Sequence, residues 1–391
     1  MLVLVATAVA FAYPGSSPLS PDHEGDDRSW SYLYLAAASA AFAAYVAGLL
    51  LLTRASGGRR RVALALAVAI QLTPLAGPVL LSTDVYTYWD YGRIAAEHGG
   101  NPYEDRPSQY PNDPAYSRMG AQWRGTTSVY GPGFTLASEG HALAARDSPA
   151  AAAWLYRGLA AAAMIALAFL AAGLSPRPAF AAAFVGWNPL LALHFAGGGH
   201  NDAWMMALVL GALALGAAGR RQLAGVAWAV AVAVKWLPLV FLPLRALEAH
   251  RRGRRVGHSG FAAAAGVIVA IATYRYGWEW AGAFGPLADN LRDQARYSIP
   301  SRLAGIGISE DAAGTLLAAL FVVAYAWLLW QAWRGRARLG LAAGLLLVAT
   351  PWLVPWYAVW AVPLAAVEED ATARWLALGF SAYLLRDAVP L

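Results

Sequence analysis

The chain has 391 residues, 59% of them hydrophobic and only 13% charged, with a formal net charge of +6. Soluble domains carry roughly 25% charged residues, so a soluble single-domain enzyme, a disordered chain and a collagenous one are all excluded. No cysteine is present, which removes disulfides, thiolate nucleophiles and cysteine-held metals.

Lys and Arg together number 29, and a single one of these, Lys235, is lysine. The arginines sit in short clusters between apolar runs, with no aromatic-interleaved basic face. Such charge belongs to membrane loops, and no nucleic-acid partner is expected. A bilayer core needs about 20 apolar residues per helix. In chain order the predicted spans are 1–14, 30–53, 62–82, 150–173, 179–196, 203–218, 222–244, 259–274, 312–333, 339–367 and 372–389. The fold class is therefore an all-α polytopic membrane protein, one integral membrane domain of about 10–12 transmembrane helices.

Loop charge orients it. Arg54, Arg59, Arg60 and Arg61, the five arginines of 245–258 and the three of 334–338 belong inside. Residues 15–29 carry Asp22, Glu24, Asp26 and Asp27, and segments 83–127 and 275–311 hold more acids than bases. These lie outside, so 83–147 forms an outer loop with interfacial helices and 275–311 a second. Two segments break the alternation. Residues 222–244 run between two arginine clusters and are interrupted by Pro238 and Pro243 just after Lys235. They form either a hairpin of half-helices or one straight span. Residues 339–367, with Pro351, Pro355 and Pro363, are too long for one span and too short for two. Broken helices are tolerated where they line protein or a wet cavity, which makes both segments candidate sites.

Water-facing chemistry concentrates at three places. Asp84 falls at the end of a span, where a carboxylate is partly desolvated. It is either a general base or the cap of the following helix. Asp90, six residues on, is a companion or a solvated loop acid. Tyr91 and Tyr130 bring rings with hydroxyls, suited to stacking on a sugar, although membrane interfaces enrich such residues anyway. Next, Gly197-Gly198-Gly199-His200-Asn201-Asp202 opens the helix 203–218. Asn201 or Asp202 is its expected cap, and a helix start with His200 beside it favours a phosphate. Lys235, an ionisable group inside a span, is a functional candidate by default and can hold phosphate as a point charge; its plain alternative is snorkelling. In the second outer loop Arg292, Arg296 and Arg302 can meet a lipid phosphate or make ordinary interfacial contacts.

Ser82-Thr83-Asp84-Val85-Tyr86, Tyr91-Gly92, Asn101-Pro102-Tyr103, Ser128-Val129-Tyr130-Gly131-Pro132, Asn188-Pro189, Gly199-His200-Asn201-Asp202 and Pro355-Trp356-Tyr357 with Trp360 recur in this order. The series resembles the actinobacterial polyprenol-phosphate-mannose-dependent α-1,6-mannosyltransferases over about residues 60 to 367. That resemblance implies a GT-C bundle in the plasma membrane with its active site on the extracytoplasmic side. It implies an inverting transfer of a sugar, mannose in the family, from a polyprenyl-phosphate donor to a hydroxyl of a glycan or glycolipid acceptor. Asp84 would be the base. Asp90, Tyr91, Tyr130, His200, Asn201, Asp202, Lys235, Arg302, Trp356 and Tyr357 would bind substrate. Where the family pattern has a histidine before Pro-Trp-Tyr, this chain has Val354. No His/carboxylate cluster has metal spacing, so no cofactor and metal independence are expected. A transporter or flippase is the rival reading; it calls for paired repeats, and none is found.

Overall fold

The computed structural model describes residues 1–12, 29–53, 59–290 and 295–387. The predicted acidic segment around Asp22, Glu24, Asp26 and Asp27, together with Arg54 and Arg292, lies outside the described residues. Among the described residues all regular structure is helical.

Four helices among the described residues are long and apolar enough to cross a bilayer: Trp30–Thr53, Pro149–Leu174, His258–Tyr276 and Glu310–Trp333. A fifth crossing is the pair Pro178–Gly186 and Pro189–Gly198, bent by 53°. This is a helical membrane protein, with fewer full-length helices than the ten to twelve expected. The difference has a physical cause: apolar runs read as single spans are cut by proline and glycine into helices of 10–17 residues, Leu2–Phe11, Asp202–Ala217, Arg221–Val234 and Leu339–Ala349 among them. The predicted span 62–82 likewise yields the helix Arg60–Leu72 and a short 3₁₀ turn.

Burial separates a packed centre from a peripheral layer. Ala152, Tyr156, Ala160, Met164, Leu167 and Ala171 of Pro149–Leu174 are fully enclosed, against Pro178–Gly186 on one side and Asp202–Ala217 on another. Small residues let these backbones approach, as is usual between membrane helices. Arg157 on the same helix is also buried, and carbonyls satisfy it: Nε donates to Ala196 O at 2.8 Å and a terminal nitrogen to Pro74 O at 2.7 Å. In contrast, Leu316, Leu320, Val322, Val323, Trp327, Trp330 and Trp333 of Glu310–Trp333 stand exposed. An apolar face of that extent is a lipid-facing surface.

Both proline-broken segments prove to be hairpins. Helix Arg221–Val234 ends at Lys235, whose backbone is extended, and Pro238–Arg251 runs back. The legs return to one end, because a Cβ on Gly257 would meet Arg221 O at 1.9 Å. That places the arginine clusters at 220–221 and 245–255 side by side, as loop charge requires. Helix Leu339–Ala349 also turns back, and here the two legs pack closely, against Ala358–Val367. Its two ends are tied by Glu368, which accepts from the backbone N–H groups of Leu339 (2.7 Å) and Gly340 (3.0 Å). The apices of the two hairpins, Lys235–Leu237 and Thr350–Tyr357, both reach one cavity.

The loop 83–147 forms the lid of this end. Helices Asp84–Ala96 and Pro132–Ala145 pack on each other, and Arg93 Nε bonds both oxygens of Asp113 at 2.9 and 2.8 Å. Arg275, at the end of a spanning helix, pairs with Glu139 at 2.9 Å and pins the loop to the bundle.

Candidate functional site

The cavity has a volume of about 840 Å³ and is lined by parts of every broken segment. Asp84, Tyr130, Lys235, Trp356 and Tyr357 are on its wall, as are Tyr88 and Trp360. Some helices begin near it, whereas Arg221–Val234 and Leu339–Ala349 end at it, on Lys235 and Thr350. Asp84 opens Asp84–Ala96, Asp202 opens Asp202–Ala217, Pro132 opens Pro132–Ala145 and Pro238 opens Pro238–Arg251. Helix starts favour an anion and helix ends oppose it, so the positive charge offered at this wall is that of Lys235.

Asp84 is not a cap. The N-cap of its helix is Thr83, with no side-chain capping bond. The Asp84 carboxylate instead meets Tyr88, whose hydroxyl donates to Oδ2 at 3.4 Å, and His200, whose Nδ1 lies 3.2 Å from the same oxygen. The carboxylate keeps 16% of its side-chain surface open. His200 is fully buried and stacked on Trp356, ring centroids 3.6 Å apart and planes 13° apart. It stands behind Asp84, and the stack fixes its ring.

The expected caps of Asp202–Ala217 also do something else. Asn201 occupies the N-cap position without a capping bond, and its buried amide has no partner. Asp202, completely buried, accepts from Lys235 Nζ and from Trp360 Nε1, each at 2.7 Å on Oδ1. One carboxylate thus ties together the glycine turn, the apex of the first hairpin and the second hairpin. Lys235 also lies over the faces of Tyr357 and Trp360, 4.9 and 5.8 Å from the ring centroids. An ammonium has three donors, and its side chain is 19% exposed, so it presents charge to the cavity while held from behind. The turn is tight enough to require glycine: Gly199 has φ +72°, and a Cβ there would meet Val85 Cγ1 at 2.4 Å.

Other predicted residues stand elsewhere. Asp90 is buried on the packed side of the lid helix Asp84–Ala96, off the cavity wall, with neither carboxylate oxygen partnered. The helix turns Asp90 about 600° from Asp84 over six residues, so the two do not share a face. Tyr91 donates to Thr126 O at 3.0 Å and braces the loop. Arg302 is bonded to the Tyr383 hydroxyl at 3.2 Å and lies over the ring of Tyr297, away from the cavity wall. Wall residues that sequence reasoning passed over include His194, Trp123, Trp352 and Asp387. His194 carried a usable signal, as a titratable group alone in the apolar run 179–196. The rule that marked Lys235 marks it equally. Its Nδ1 is buried without a partner.

Burial pushes the Asp90 carboxyl up to about 7, with the Asp113 carboxylate adding to the shift and Arg93 opposing it. An acid whose pKa is raised in the folded state costs stability as it ionises. The loss begins above the unfolded value near 4 and is complete above about pH 7. Asp90→Asn is therefore expected to melt higher than the parent at pH 8, by on the order of 2–4 kcal/mol, with the difference shrinking towards pH 5. Thermal unfolding across pH checks this.

Comparison with known proteins gives a consistent result. A family profile described as α-(1→6)-mannopyranosyltransferase, N-terminal domain, matches residues 1–251, and one described as MptB C-terminal domain matches residues 310–390. The chain is 30% identical to α-(1→6)-mannopyranosyltransferase A of Mycobacterium tuberculosis over 346 residues, 78% of this chain and 64% of that protein. It is 25% identical to α-(1→6)-mannopyranosyltransferase B of Corynebacterium glutamicum over 338 residues, 73% of this chain and 56% of that one. The chain thus spans less than two thirds of the length of either relative. No solved structure matches it.

Proposed function

The chain belongs to the α-(1→6)-mannopyranosyltransferase family, and from that premise we propose that it transfers mannose from a polyprenyl-phosphate donor to a hydroxyl of a glycan or glycolipid. The transfer takes place at the extracytoplasmic face of the plasma membrane, in a bundle of GT-C type. The observation that carries the reading is the pairing, on one cavity wall, of a carboxylate spent on no cap with a cation held from behind.

The reaction follows from that pairing. The acceptor oxygen attacks the anomeric carbon as Asp84 takes its proton, because an alcohol is a poor nucleophile until deprotonation begins. The bond from the anomeric carbon to the phosphate oxygen breaks on the opposite face, so the centre inverts. The departing phosphate monoester gains negative charge, which Lys235 stabilises. His200, its ring fixed by the stack on Trp356, lies against Asp84. Tyr130 offers a ring face for the sugar. A monophosphate leaving group asks for no metal bridge in principle, and the transfer is proposed to be metal-independent.

The test is a donor panel. Membranes containing the protein are given polyprenyl phosphates carrying mannose, glucose or galactose, or nucleotide-linked mannose, and products are read by mass. Product is expected from polyprenyl-phosphate mannose, with chelator present as without. Transfer directly from the nucleotide sugar, or dependence on added divalent metal, would overturn the corresponding part.

A further inference from the structure

A second cavity, of about 690 Å³, opens between the legs of the Lys235 hairpin at the end remote from its apex. The leg Arg221–Val234 separates the two by about 20 Å. Its walls are apolar, with Trp228, Leu242, Pro243 and Phe261 from three helices. Its rim carries Arg221, Arg245, Arg254 and Arg255.

The rim charges are unequally engaged. Arg245 is neutralised by Glu248, which also takes Arg252 at 3.1 Å. Arg221, Arg254 and Arg255 have no carboxylate partner among the described residues, and all three are exposed. The loop is held by the close packing of Gly225 and Gly257, since a Cβ on Gly225 would meet Gly257 O at 2.1 Å. The three guanidinium groups therefore surround the mouth of an apolar pocket at the arginine-rich end of the bundle.

We propose that this pocket binds an anionic membrane phospholipid. Its phosphate sits on Arg221, Arg254 and Arg255, and the start of an acyl chain lies against Trp228, Leu242, Pro243 and Phe261. Charge complementarity selects an anion, and guanidinium forks match phosphate oxygens. The apolar wall selects an amphiphile over a free ion. Basic groups just outside a span are attracted to anionic headgroups in this way. The occupied pocket would fill the gap between hairpin legs that otherwise touch little, bracing the segment whose apex carries Lys235.

Native mass spectrometry of the detergent-purified full chain tests it, with phosphatidylglycerol, phosphatidylcholine or inorganic phosphate added. Phosphatidylglycerol is expected to remain bound where phosphatidylcholine and phosphate do not. Replacing Arg221, Arg254 and Arg255 together by Gln is expected to weaken it on the order of a hundredfold. The same charge change at Arg59, Arg60 and Arg61 is expected to leave binding intact. Ala246→Trp, which fills the apolar wall and keeps every arginine, is expected to weaken binding too, so the proposal does not hang on the folding of the triple variant. Equal retention of phosphatidylcholine, equal loss in the Arg59–Arg61 control, displacement by inorganic phosphate at matched concentration, or full retention in Ala246→Trp would each overturn it.

Discussion

Asp84→Asn is expected to lower sugar transfer by about 10³ to 10⁴-fold, the upper part of the range for a lost general base, while leaving the protein folded. Three features support so large an effect. The carboxylate forms no capping bond, so its loss removes no local hydrogen bond that holds the helix start. Asparagine is nearly the same size and can still accept from the Tyr88 hydroxyl. What it cannot do is take a proton. Circular dichroism and thermal unfolding should match the parent, and donor KM should change little, because the base acts on the acceptor. A drop in kcat with donor KM preserved is the expected signature. Retained transfer would remove Asp84 from its role, and a variant that fails to fold would show that the contact with His200 is structural instead. Asp84→Glu separates these cases: it keeps the charge but moves it by one methylene, and should recover part of the rate.

The sequence already contained the places where the structure breaks, and less of how the breaks are used. Prolines at 238, 351 and 355 and the glycine run at 197–199 marked interruptions in apolar stretches that no simple crossing explains. The structure turns each into a helix boundary, and those at the prolines flank one cavity. The number of full spans was not legible, because apolar composition is the same in a complete crossing and in two half-helices. Nor were the capping assignments. Asp84, Asn201 and Asp202 all sit at helix starts, where short polar residues usually cap, yet in all three the side chain is free of that duty. Their real partners, His200 for Asp84 and Lys235 with Trp360 for Asp202, are more than 30 residues distant in sequence. Spacing cannot reveal such pairs. Asp90, six residues from Asp84, lies off the cavity wall because the 3.6-residue turn carries the two to different faces of the helix.

Lys235→Met is expected to cost about 3 kcal/mol of stability, the penalty of leaving a buried charge without its partner. Asp202 is completely enclosed, and without the ammonium it keeps only the Trp360 indole on Oδ1. This alone would make any loss of activity ambiguous. The double variant Asp202→Asn with Lys235→Met resolves it. Removing both charges leaves no uncompensated ion, and an asparagine carbonyl can still accept from Trp360. Its stability should return to within about 1 kcal/mol of the parent, since replacing both partners is far milder than removing one. Two roles for Lys235 then diverge. If the lysine only braces the hairpin apex against Asp202, the double variant transfers sugar with a normal donor KM. If its free donors hold the donor phosphate, the restored protein still lacks a charged hydrogen bond worth about 1.5–3 kcal/mol. Donor KM, or kcat where the contact forms as the phosphate leaves, should then worsen by roughly ten- to a hundredfold. The second result is expected. The ammonium stays partly exposed on the cavity wall, whereas a purely structural ion pair in a membrane interior would be closed off on both sides.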